Sequence, residues 1–188
     1  MPTLNVVPRD SVSFERFDEL ATGYGWQLDQ DSVAAARIAD ASPEWSWTVD
    51  GGTVTLVQDS ALKRPFLIVD ADDPQPIADR ITRDVPCFTL PEIVETVTSA
   101  STPEERISAL RLLGAAAPAQ IDQTIVDAIQ DNAARSEPRV RLAAVSASSR
   151  LRWPVLRPVV AQVSESDESE ALRAGSSNIL GLTRWDRG

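Results

Sequence analysis

With 188 residues, of which 43% are hydrophobic and 24% charged, the chain has the composition of a globular protein able to bury a core as one domain or two small ones. The net charge of −10 is uneven: residues 1–100 hold 17 Asp/Glu against 7 Lys/Arg, and residues 101–188 hold 11 of each, which places a boundary near residue 100 and argues against the first half gripping a phosphate backbone. Histidine is absent and Cys87 is the only cysteine, so Ser-His-Asp and Cys-His catalysis, an intramolecular disulfide and ordinary zinc sites are all disfavoured.

The opening MPTLNVVPRD lacks the basic-then-apolar pattern of a secretory leader, and no apolar run approaches the ~18 residues of a membrane span. Together with the lone thiol, this gives the expectation of a cytoplasmic protein. Ser11–Gly23 reads as a helix with Phe14, Phe17 and Leu20 on one side, and Asp31–Ala41 as a second, Ala-rich one. Pro43–Asp59 carries a hairpin signal: Trp45, Trp47 and Val49 alternate, then Asp50-Gly51-Gly52 turns the chain towards Val54, Leu56 and Val57. Trp45 and Trp47 share a face, expected to pack on a helix. Phe66–Val69 reads as a buried strand running into the turn Asp70–Pro74, whose Asp70, Asp72 and Asp73 fit turn chemistry better than a cation site. Pro76–Thr82 and Pro91–Thr98 look helical, and Cys87, in the apolar run VPCFTL, reads as an inert thiol. Residues 1–100 are therefore expected to form an acidic α+β domain with a sheet of about three strands.

The second half reads as five helices. The first spans about Pro103–Gly114, with Thr102 and Glu105 placed for a capping box and Gly114 as a stop. Ile121, Ile125, Ala128 and Ile129 mark the second, and Ser136 is placed to cap the third. The fourth begins at Trp153-Pro154, with Pro158 in its first turn, and the fifth runs to about Leu182. Arg106, Arg141 and Arg173 recur through these helices at intervals of 35 and 32 residues, each followed three positions later by Ala109, Ala144 or Ser176. Leu113-Gly114 and Leu180-Gly181 follow in the first and third copies, whereas Ser148-Ser149 stand there in the second.

Ser136–Leu151 and Trp153–Asp167, with their acidic-Pro entry, Val-Arg pair, small residues and Pro-started second helix, resemble the HEAT-repeat family in its short bacterial, lyase-type form. The resemblance covers about residues 102–182. It implies an all-α helical solenoid of about two and a half repeats over residues 101–188, with Arg106, Arg141 and Arg173 as structural repeat positions. Their expected partners are acidic residues of the adjacent repeat, such as Asp131 or Asp167 for Arg141.

For function, the sequence supports a non-catalytic protein–protein interaction or adaptor module with no catalytic, cofactor-binding or metal-ligating residues assigned. Its partner would be another protein or a second copy. Candidate contact residues are Leu172, Ile179 and Leu182 on the uncovered last helix, and Trp185 beyond it. Arg139, Arg141, Arg150, Arg152 and Arg157 surround Trp153 in a pattern that some nucleic-acid binders use, but the acidic chain (pI ≈ 4.5) argues against that partner. An inhibitor or immunity-type protein with an acidic binding surface is one alternative. A lyase-type enzyme subunit, implied only by the resemblance, is the other.

Overall fold

The computed structural model describes residues 1–36, 42–118 and 120–186. They form two compact units, Met1–Phe88 and Thr89–Gly188, so the division falls about a dozen residues before the charge boundary.

The first unit is built on one antiparallel sheet. Its strands are β1 (Thr3–Val6), β2 (Gln27–Leu28), β3 (Glu44–Val49), β4 (Gly52–Asp59) and β5 (Arg64–Ala71), in the order β1-β5-β4-β3-β2. The expectation of about three strands is thus corrected to five. The hairpin and the buried strand form the centre, and the two additions are edges too short to show an alternating pattern. Helices α1 (Phe14–Gly23) and α3 (Gln75–Asp84) supply the rest of the core; α2 (Gln30–Ala36) packs on β3. The remaining residues of the expected Asp31–Ala41 helix, 37–41, lie outside the described ones.

Pairing register decides which sheet face is buried. Trp47, Val54, Val69 and Leu4 form one row across four strands, and Trp45, Leu56, Leu67 and Val6 form the next. With Phe17 and Ala21 of α1 and Ala78 and Ile81 of α3, these rows make a single apolar cluster. The Phe14 ring lies 5.0 Å from Trp45 and that of Phe17 lies 5.0 Å from Trp47, so the paired tryptophans do pack on a helix. Trp47 is fully buried, and its indole N–H donates to Asp18 Oδ1 at 2.9 Å. Side chains of the alternate rows, Ser46–Thr55–Ile68–Asn5 and Thr48–Thr53–Asp70–Thr3, are mostly polar, as one face of an antiparallel sheet commonly is. Gly52 is required where it stands, because a Cβ there would meet the Asp70 carbonyl oxygen at 2.1 Å.

The second unit is helical: α4 (Leu90–Ser99), α5 (Pro103–Ala116), α6 (Gln123–Ala133), α7 (Pro138–Leu151), a 3-10 turn (Pro154–Leu156), α8 (Arg157–Ser166) and α9 (Glu170–Leu182). Thr102 and Glu105 form the expected capping box on α5, and Thr89 and Glu92 form another on α4. Pro158 lies in the first turn of α8. Ser136 does not cap α7, whose N-cap is Glu137 without a side-chain bond.

The expected HEAT-like solenoid is not what forms. Consecutive helices pack as α4 on α5, α6 on α7 and α8 on α9, whereas α5 and α6, expected to share a repeat, make little direct contact. α5 lies closely on α7, but α9 packs mainly on α8 and only lightly on α7, so no regular stacking step carries through the unit. One cause is visible at Gly114. It does not stop α5, which continues to Ala116; instead its missing side chain lets α7 approach, and a Cβ there would lie 3.0 Å from Ala147 Cα. The position 35 residues later is Ser149, and Gly181 faces open space. The seam that joins α5 to α7 therefore has no counterpart between α7 and α9. Among the described residues, no helix is long and apolar enough to cross a membrane.

Candidate binding groove

Each repeated arginine sits one turn into its helix and reaches back across the corner to the helix before. The Arg106 guanidinium donates to the Ala100 carbonyl, Arg141 Nη1 to the Arg135 carbonyl at 2.9 Å, and Arg173 Nη1 to the Asp167 carbonyl at 2.5 Å. Ala100 and Asp167 are the C-caps of α4 and α8, and Arg135 follows Ala134, the C-cap of α6. A cation at a helix C-terminus meets unpaired carbonyls and the negative end of the macrodipole. The arginines therefore clamp helical corners.

The middle clamp is the most elaborate. Arg141 Nε and Nη2 grip Asp167 Oδ2 and Oδ1 at 2.7 and 2.9 Å, Nη1 also reaches the Ser136 carbonyl at 2.7 Å, and Nη2 lies 3.4 Å from Glu168 Oε1. Side-chain exposure is 8% for Arg141 and 3% for Asp167, against 80% for Glu168. Of the two acidic partners expected for Arg141, Asp167 is the one used. The Arg141 hydrogen bonds hold the Asp167 carboxyl below its usual range, against the opposing effect of burial and with help from the Ser169 N–H; Asp167 in turn raises Arg141 further. Both groups are ionised across ordinary pH, and the C-termini of α6 and α8 are tied to one fixed point.

Between those helices lies a groove of about 540 Å³. Ala133, Val159 and Val163 give it an apolar floor; Gln130 of α6 and Gln162 of α8 stand on its walls, and Arg141, Asp167 and Glu168 close the end. Both glutamines are exposed, and neither side-chain amide is hydrogen-bonded within the chain among the described residues. The groove offers donors, acceptors, an apolar surface and a carboxylate. Among its lining residues no nucleophile is paired with a base.

The other singled-out residues lie elsewhere. Leu172 is buried in the cluster of Val145, Val160 and Val163, and Ile179 and Trp185 pack against it. The tail folds back because Arg152 bonds the Arg184 carbonyl at 3.0 Å and Asp186 at 2.6 Å. Leu182 is 86% exposed, so the four candidate contact residues do not form one surface. Asp70 accepts from the Thr3 hydroxyl, and Asp73 accepts from the Gln75 N–H at 3.3 Å. Among the described residues, no group of three or more His, Cys, Asp or Glu side chains could hold a metal ion. Cys87 is half-buried; burial pushes its thiol up to about 11, and its S–H donates to the Val85 carbonyl. It is a protonated, weak nucleophile at neutral pH.

The groove itself escaped sequence reasoning. Gln130 and Gln162 beside an apolar stripe look like any solvated helix face, and only the pairing of Arg141 with Asp167 pointed to this place. The chain matches no family model, no curated protein and no solved structure.

Proposed function

We propose that this chain is a non-catalytic protein-interaction module that works in a cytosolic setting and uses the α6–α8 groove as its docking site. The observation that carries the reading is the groove's construction: exposed, unpaired amides on an apolar floor, anchored at one end by the buried Arg141–Asp167 pair. Such a mixed surface on fixed helices suits recognition of a polypeptide. The protonated Cys87 and the absence of histidine support a role outside catalysis.

A photo-crosslinking residue at Gln162 tests the reading, with the same residue at exposed Arg111, which does not line the groove, as control. In extract of the native host, the Gln162 position should give a discrete protein adduct that unlabelled full chain competes away. Adducts no different from those at Arg111 would overturn it.

A second reading has its own observation. Residues 1–88 carry 15 Asp/Glu against 7 Lys/Arg, which supports an inhibitor or immunity-type protein that covers a basic enzyme surface. Its association rate with that partner would fall steeply as salt rises, and a salt-independent rate would dismiss it.

A further inference from the structure

The charges at the closed end of the groove define what its occupant carries. Arg141 is the one cation among the lining residues, and its charge is spent: Asp167 takes it bidentately, the Arg135 and Ser136 carbonyls take the Nη1 N–H groups, and Nη2 also lies 3.4 Å from Glu168 Oε1. Beyond that single long contact, Glu168 keeps 80% of its side chain exposed. Ala134 and Asp167, the C-caps of α6 and α8, both line this end, where Arg141 and Arg173 already meet the last carbonyls and offset the negative ends of the two helices. The exposed charge at the closed end is therefore the Glu168 carboxylate, while the floor leading to it is apolar and the walls hold free amides. Those amides match an extended backbone, whose N–H and C=O groups are available; a helix has satisfied its own internally.

Resting on the reading that this groove docks protein, we propose that its occupant is an extended segment of a partner polypeptide, with a Lys or Arg side chain seated against Glu168 and the segment's backbone bonded to Gln130 and Gln162. Small apolar side chains of the segment lie on Ala133, Val159 and Val163.

The test is a display selection of random nonapeptides against the folded full chain, run in parallel on Glu168→Arg, Glu168→Gln and Gln162→Leu. Glu168 and Gln162 are exposed, and circular dichroism confirms that each variant folds before selection. Wild type is expected to enrich peptides that share a Lys or Arg at one position, with about a threefold preference over a neutral residue, typical of an exposed ion pair. Glu168→Arg should select Asp or Glu at that position, Glu168→Gln should lose the preference, and Gln162→Leu should weaken all selected peptides about fivefold, as loss of a backbone hydrogen bond does. Enriched peptides without a basic preference, an unchanged preference in Glu168→Arg, or no enrichment at all would each overturn the proposal. If the Gln162 crosslinker still captures a native protein in any of those cases, the docking reading stands and only the basic extended segment falls; if it captures nothing, both fall.

Discussion

In residues 1–88 the fully buried Trp47 donates to Asp18, 29 positions away, and β1 pairs with a strand more than 60 residues away. In residues 89–188 the arginine clamps reach carbonyls only five or six positions back, and only Arg141 extends further, to Asp167 and Glu168. The sheet unit is thus closed by contacts between distant parts of the chain, added to its local β3–β4 and β4–β5 pairings. Much of what defines the helical unit is local to each corner. A lesion should accordingly spread through the first unit and stay near its origin in the second.

The largest effects are expected in the sheet. Trp47→Ala removes a fully buried indole and leaves Asp18 without its donor, a loss of about 3–5 kcal/mol. Gly52→Ala places a Cβ against the Asp70 carbonyl and should cost at least the ~1–3 kcal/mol typical of overpacking. Hydrogen exchange would read both as loss of protection across β3, β4 and β5 together; protection lost from one strand alone would break the comparison.

Arg141→Ala should approach the same size, about 3–5 kcal/mol, because it strands the buried Asp167 carboxylate. Arg141→Met with Asp167→Leu should recover much of that loss, since replacing both charges removes the desolvation penalty. Exchange should rise around the α6–α7 and α8–α9 corners while the sheet stays protected. Arg173→Ala is expected to cost less, about 1.5–3 kcal/mol for a charge-assisted bond, and Arg106→Ala less again, because Arg106 Nε is already buried without a partner.

What the sequence disclosed divides along the same line. Local signals were legible: the Asp50-Gly51-Gly52 turn, the shared face of Trp45 and Trp47, the Thr102–Glu105 capping box and Pro158 at a helix start all act over a few residues. β1 and β2 were missed because four and two residues are too few to show a period, and their pairing depends on partners elsewhere in the chain. The repeated arginine was legible as a structural position. Its direction was not, since nothing in the spacing tells whether it serves the helix ahead or the helix behind. The expectation of a solenoid came from the 35- and 32-residue spacing and the resemblance of Ser136–Asp167 to HEAT repeats, neither of which specifies how the helices pack. The groove depends on how far α6 and α8 stand apart, which no single helix encodes.

Acid separates the units by a smaller margin. Asp167 is held low first by Arg141, so its contribution is complete above the unfolded value of ~3.9 and is lost as pH falls through the lower folded value. Acid unfolding of the helical unit should steepen below about pH 4, and Arg141→Ala should lose most of that dependence. An unchanged acid slope in the variant would show that other carboxylates govern it.

The smallest effects come from alanine at glycines of the helical unit, in contrast to Gly52 of the sheet. Gly52 has no room for any side chain, but the helical glycines range from crowded to free. Gly175, inside α9, has nothing within 4 Å of where its Cβ would lie, so Gly175→Ala should gain about 0.5–1 kcal/mol from helix propensity alone. Gly114→Ala receives the same propensity gain but must push against Ala147, whose Cα and Cβ lie 3.0 and 3.3 Å from the added carbon. The two terms oppose each other, and α5 can yield only by parting from α7, so the net change should fall within about 0.5 kcal/mol of zero. Gly114→Val adds bulk without that propensity and should cost about 1–3 kcal/mol. Urea midpoints for the three variants order the terms directly. If Gly114→Ala stabilises as much as Gly175→Ala, the close seam between α5 and α7 is not what limits the stacking of these helices, and the missing glycine at Ser149 cannot explain why α9 stands off from α7.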